Sequence, residues 1–216
     1  MELILAEKPS AARNFAKALG GKTGNYAGTE YKITNLRGHV MGLLPPDRQV
    51  PADKADFYKS WELENLPWDL DDFAWKKGIL SGCKDIISGL KDELKEADCV
   101  VIATDVDPSG EGELLAWEAL EKCGWNGPTK RMYFADEAPA SVQKAFRERK
   151  TLPSMDKDGD YVKAVVRERW DLASMQFTRA ATLVARKKGF RTVVRQGRLK
   201  SVMVKLTGDQ LKAYNE

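Results

Sequence analysis

The carboxylates are the side chains in this 216-residue sequence whose spacing points most directly to chemistry. Glu7 directly follows the apolar run Leu3-Ile4-Leu5-Ala6, and Asp105 and Asp107 directly follow Cys99-Val100-Val101-Ile102-Ala103-Thr104. Both runs suit buried strands, and in an open α/β sheet ligands bind beyond the carboxyl ends of the strands. Two residues apart in an extended chain, Asp105 and Asp107 project to the same side and can face one cation. Glu111 and Glu113 follow at the start of the next helix. Crowded carboxylates are costly unless a cation or a shared proton neutralises them. Oxygen donors with no neighbouring His or Cys favour magnesium over zinc. A D-x-D after a strand can also cap a helix or face solvent. Glu7 at the edge of a second strand favours the cation.

The elements that must position these groups alternate. Glu2 to Ala6 reads as a strand, and Ala12, Phe15, Ala16 and Leu19 as a helical stripe closed by Gly20-Gly21. Tyr26 to Val40 gives one or two strands, ending in Arg37-Gly38-His39-Val40. Pro45 to Leu70, rich in Pro, Trp and charge, reads as an irregular excursion. Helices are expected over Gly82 to Ala97, Leu114 to Lys122 and Pro139 to Arg149, with strands at Cys99 to Thr104 and Arg131 to Phe134. This alternation implies an α/β fold with a mostly parallel sheet covered by helices on both faces. Thr151-Leu152-Pro153-Ser154 is the expected boundary, giving domains at 1–150 and 151–216. Beyond it, Tyr161 to about Lys188 carries apolar residues at helical spacing over roughly seven turns. Trp170 and Phe177 lie in that stripe and are expected in the core. Thr192 to Leu206 is a Val- and Arg-rich segment broken by Gly197.

Charge separates the two parts. The net charge of +3 combines −4 over Met1 to Lys150 with +7 over Thr151 to Glu216. Arg179 to Lys205 holds nine Lys and Arg and no Asp or Glu. A purely cationic stretch suggests a polyanion partner, whereas a solubilising surface normally mixes both signs. Three cysteines (Cys83, Cys99 and Cys123) show neither a disulfide framework nor paired zinc spacing, and read as reduced packing residues. There is no apolar run of membrane length, no signal-peptide pattern and no Walker-type phosphate loop. The expected compartment is the cytoplasm, with no membrane partner and no nucleotide cofactor.

Glu7-Lys8-Pro9-Ser10 together with Ala103 to Glu118 (ATDVDPSGEGELLAWE) resembles the Toprim signature of type IA DNA topoisomerases, especially the topoisomerase III branch. There one strand ends in E-K-P-S and a later one in D-x-D-R-E-G-E. Arg37-Gly38-His39-Val40 is similar to the family's G-H-L segment, and Arg167 with Asp171 to its R-x-x-x-D on a long helix. Gly197-Arg198-Leu199-Lys200-Ser201 is similar to its G-R-V-Q-[ST]. The resemblance implies a Toprim domain, Rossmann-like, followed by part of a mainly helical DNA-binding domain. It implies an isomerase that cleaves, passes and reseals single DNA strands with Mg²⁺, acting as a monomer.

By that resemblance Glu7, Asp105, Asp107 and Glu111 hold the metal. Glu7 also exchanges a proton with the leaving oxygen, and Lys8 donates to the phosphate. His39, the only histidine, is expected as a structural or DNA-edge contact, and Arg167, Arg169, Arg195, Arg198 and Lys200 as phosphate contacts. Two departures stand out. The sequence D-V-D-P-S-G-E-G-E is two residues longer than the family's and lacks its Arg. Counting forward puts Ser109 in the third acidic position; counting back from Leu114 puts Glu111 there, and the following L-L-A-W-E favours Glu111. Second, no I-T-Y-x-R-T segment surrounds any of the six tyrosines. The expectation is therefore an amino-terminal fragment without the nucleophile, binding Mg²⁺ and single-stranded DNA but inactive in cleavage. The rival readings are a stand-alone Toprim phosphotransferase, primase-like or nuclease, and a non-catalytic DNA-binding module with a vestigial acidic site.

Overall fold

The computed structural model describes residues 1–215. Eight strands run in chain order as β1 (Glu2–Ala6), β2 (Thr23–Tyr26), β3 (Thr29–Asn35), β4 (Met41–Leu43), β5 (Lys77–Ile79), β6 (Cys99–Ala103), β7 (Thr129–Arg131) and β8 (Lys150–Thr151). Between and after them lie α1 (Pro9–Leu19), α2 (Ala55–Lys59), α3 (Lys84–Leu94), α4 (Glu111–Cys123), α5 (Pro139–Arg147), α6 (Gly159–Lys187) and α7 (Lys200–Asn215). Two compact units result: Met1–Gly42 with Lys77–Arg167, and Leu43–Lys76 with the chain from Glu168 onward.

The first unit is built on a six-stranded sheet of order β2-β3-β1-β6-β7-β8. Its centre, β3-β1-β6-β7, is parallel, while β2 and β8 close the two edges antiparallel. Both central strands are fully buried, which explains their unbroken apolar runs. Alternation then sorts their side chains between two cores. Leu3, Leu5, Val100 and Ile102 face one core with residues of α3 and α4. Ile4, Ala6, Val101 and Ala103 face the other with Phe15 of α1 and Phe146 of α5. The expected parallel sheet covered on both faces is therefore present.

Several boundaries shift. The strand expected at Arg131 to Phe134 is Thr129–Arg131, and α4 begins at Glu111 rather than Leu114. The two compact units interleave along the chain. Lys150–Thr151 completes the sheet edge by pairing with β7.

The second unit contains the excursion expected to be irregular, and it has a core of its own. Val50, Tyr58, Trp68 and Phe73 pack with Leu172 of α6. Buried Gln49 holds the ends of the excursion together: its side-chain amide donates to Leu44 O at 2.7 Å and Lys76 O at 2.9 Å, and accepts from Lys76 N–H at 2.6 Å. The expected core role of Trp170 and Phe177 is corrected, since they are 55% and 50% exposed. The buried face of this part of α6 carries Leu172, Ala173, Arg179 and Thr182, two of them polar, so an apolar periodicity misplaces it. No helix among the described residues is long and apolar enough to cross a membrane.

One buried charge ties the first strand to the far edge of the sheet. Glu2, 8% exposed, accepts from Lys130 Nζ at 2.6 Å and from Arg149 Nε at 2.7 Å. Burial opposes its ionisation, but the Arg149 and Lys130 hydrogen bonds prevail and hold the carboxyl below the usual range. A depressed carboxylate contributes stability above its unfolded pKa and loses it as pH falls through the folded one. Glu2→Gln should therefore cost about 1–3 kcal/mol at neutral pH. It should also flatten the loss of stability below about pH 4, which urea unfolding at stepped pH would measure.

Candidate functional site

Arg131 at the end of β7 organises the carboxyl edge of the sheet from below. It is fully buried and donates from Nε to Glu113 Oε1 at 2.7 Å. Its Nη1 donates to Thr104 O at 2.7 Å and its Nη2 to Asp105 O at 3.0 Å. One guanidinium thus fixes both the exit of β6, where the aspartates sit, and the first turn of α4. The Thr104 hydroxyl adds a bond to Gly112 O at 2.8 Å. The approach is so close that a Cβ on Gly112 would lie 2.1 Å from Asp105 O, so a glycine is required there.

Above this base the acidic groups gather. The Asp105 N–H donates to Glu7 Oε2 at 3.1 Å, joining the ends of β1 and β6. Lys8 pairs with Asp105 at 3.3 Å, and that hydrogen bond holds its ammonium above the ordinary lysine value. Both side chains are nearly half exposed, so the pair contributes little to stability. Asp107 turns back on its own loop: Oδ1 accepts from the Ser109 N–H at 2.7 Å and from the Ser109 hydroxyl, and Oδ2 from the Gly112 N–H at 3.4 Å. Burial raises the Asp107 pKa, but these donors and nearby Arg167 outweigh it and keep the carboxyl low. It is ionised at neutral pH.

The Pro108-Ser109-Gly110 loop shapes the rest. Gly110 adopts φ +75°, and a Cβ there would lie 2.2 Å from Asp160 O, so the first turn of α6 presses directly on the loop. Asp158 caps that turn through the Asp160 N–H at 3.1 Å and is held by the Trp117 indole at 2.8 Å. Two turns along, Arg167 reaches the loop and donates to Ser109 Oγ at 2.5 Å. Its guanidinium also pairs with Glu111, whose other oxygen meets His39 Nε2. His39 arrives because the Gly38 N–H donates to Glu7 O at 2.9 Å, extending the chain past β3 along the same edge.

The first unit therefore brings together Glu7, Lys8, His39, Asp105, Asp107, Glu111 and Arg167. The four expected metal ligands share this edge but do not converge on one point. Among the described residues no group of three or more His, Cys, Asp and Glu is placed to hold a metal ion. Each acid is drawn to a different protein donor: Asp105 to Lys8, Asp107 to Ser109, and Glu111 to Arg167 and His39. The donor chemistry of Glu7, Asp105 and Asp107 at one edge still suits a hard cation. Glu111, with one oxygen paired to Arg167 and the other against His39, suits it least.

The remaining expected contacts lie in the second unit. Arg169 stacks on Trp75 at 5.1 Å, while Arg198 is engaged in a two-pronged pair with Asp171 at 2.7 and 3.0 Å. Arg195 is exposed, and Lys200 opens α7. The reading from sequence missed Arg131, whose only signal is a charged residue inside a strand. It weighed Ser109 only as the third acidic position, and its role as a bridge became visible only with Arg167 beside it.

Glu113→Ala should leave Arg131 buried without its counter-charge and cost about 3–5 kcal/mol. Glu113→Ala combined with Arg131→Met should recover most of that loss. Denaturant unfolding of both variants decides, and an unrecovered double variant would contradict the pairing.

A family model described as Toprim domain matches residues 2–136. "DNA topoisomerase 3" from Staphylococcus haemolyticus is 33% identical over 151 residues, 68% of this chain and 20% of that protein. "DNA topoisomerase 3" from Bacillus cereus is 29% identical over 184 residues, 83% of this chain and 24% of that protein. Full-length topoisomerase I from Thermotoga maritima superposes with a TM-score of 0.61 at 21% identity, over 97% of this chain and 30% of that one, a likeness of fold. The chain thus spans only a fifth to a quarter of the curated relatives it matches. It belongs to the Toprim domain family, and it is similar to the DNA topoisomerases 3 named above.

Proposed function

We propose that this chain supplies the Mg²⁺- and DNA-binding amino-terminal region of a type IA topoisomerase, acting on single DNA strands. The observation that carries this reading is the meeting of Glu7 with the Asp105 backbone at the ends of two adjacent parallel strands, with Lys8 and Arg167 beside them. Glu7, Asp105 and Asp107 would hold the metal, which when bound neutralises charge on the phosphate. Lys8, released from Asp105, donates to a phosphate oxygen. Glu7 exchanges a proton with the leaving 3′-oxygen. Arg167, kept in place by Ser109 and Glu111, contributes a second fixed positive charge facing the same edge. Glu111 serves Arg167 and not the metal.

Titration calorimetry with Mg²⁺ should show binding that Asp105→Asn with Asp107→Asn abolishes. Equally negligible heats in both proteins would sink the metal assignment. The transesterifying tyrosine in its I-T-Y-x-R-T setting is absent from these 216 residues. The chain alone should therefore leave supercoiled plasmid unrelaxed on an agarose gel. Relaxation, or a covalent 5′ adduct, would show that a tyrosine present here is the nucleophile.

A further inference from the structure

The second unit contains positive charge that its own acids do not balance. Arg179 on α6 is only 6% exposed, and its Nε has no hydrogen-bond partner among the described residues. Its Nη1 is held by Tyr58 O at 2.6 Å and Ser60 O at 3.1 Å. The guanidinium lies 4.7 Å from the Trp68 ring centre and 5.4 Å from that of Trp61. Carbonyls and ring faces offset the cost of burying this charge only in part: burial lowers its pKa, the Asp47 charge opposes that, and no carboxylate among the described residues forms an ion pair with it.

Seven residues later, two turns along and on the same helix face, Arg186 lies 5.6 Å from the same Trp61 ring. Arg186 differs from Arg179 in one decisive respect: it is exposed. A cation–π contact with an indole restrains a guanidinium while leaving N–H donors free for a phosphate. The surroundings select against a carboxylate ligand supplied by this segment, since no acid occurs between Arg179 and Lys205. Lys187 and Lys188 add exposed charge immediately beside it.

We propose that Arg186, held over the Trp61 ring at the end of α6, is a pre-organised contact for the phosphodiester backbone of a single DNA strand. Arg186 lies outside the segments that carry the family resemblance. The proposal rests on the DNA-binding reading above and gives that reading a second, separate point of attachment. The arginine's charge supplies attraction, and the indole removes much of the entropy otherwise lost when a long side chain is fixed.

Fluorescence anisotropy with a labelled oligothymidylate, measured over a salt series on the whole chain, tests it. Arg186→Ala should weaken binding about threefold to tenfold and lower the slope of log K against log salt by about 0.7, one phosphate contact on a single strand. Arg186→Lys should keep the slope and recover only part of the affinity. Trp61→Leu should keep the slope but weaken binding. Arg186→Ala indistinguishable from the unsubstituted chain overturns the proposal and leaves the DNA reading standing. Full recovery by Arg186→Lys overturns the role of the indole. Loss confined to a duplex probe overturns the single-strand assignment. Failure of the unsubstituted chain to bind the oligonucleotide at any salt removes the DNA reading itself.

Discussion

The Arg131 guanidinium, buried beneath the carboxyl edge of the sheet, is the interaction on which the rest of the acidic site depends. It spends one donor on Glu113 and others on the carbonyls of Thr104 and Asp105. A buried cation must find such partners or unfold its surroundings. Satisfying it therefore fixes three things together: where β6 ends, where α4 begins, and how the loop between them leaves the sheet. The close approach at Gly112 is a consequence, since the backbone of α4 can meet Asp105 O only without a Cβ.

On that base the acids are ordered by competition for protein donors. Lys8 and Arg167 each stand near a carboxylate, and Ser109 takes Asp107. These contacts separate negative charges that would otherwise repel one another at close range. They also keep two cations at the sheet edge, positioned for a phosphate. The Pro108-Ser109-Gly110 loop is integral to this arrangement. It supplies Ser109 as the bridge to Arg167 and, through Gly110, the seat for the start of α6.

The second unit handles charge by a different physical route. Its arginines lie against ring faces: Arg169 on Trp75, Arg179 on Trp61 and Trp68, and Arg186 on Trp61. Arg198, in contrast, is held by Asp171. Aromatic stacking steadies a guanidinium without consuming its outward donors, whereas a carboxylate pair consumes them. Exposed Arg169 and Arg186 thus keep donors for an anion, whereas Arg198 and the buried Arg179 are committed to the fold.

The sequence by itself determined the parts that follow from local periodicity and strand-end position. Continuous apolar runs at Leu3 to Ala6 and Cys99 to Ala103 required buried parallel strands, and so placed Glu7, Asp105 and Asp107 at one edge. Tertiary structure alone decided what those acids touch. Glu111 engages Arg167 and His39, residues 56 and 72 positions away, so its partners lie beyond any local pattern. Tertiary packing likewise decided the inward face of α6, where Arg179 and Thr182 are buried and Trp170 and Phe177 are exposed. Apolar spacing reads a helix face only when the buried positions are apolar. Here the aromatic residues of a distant segment, 43–76, made a polar face the buried one.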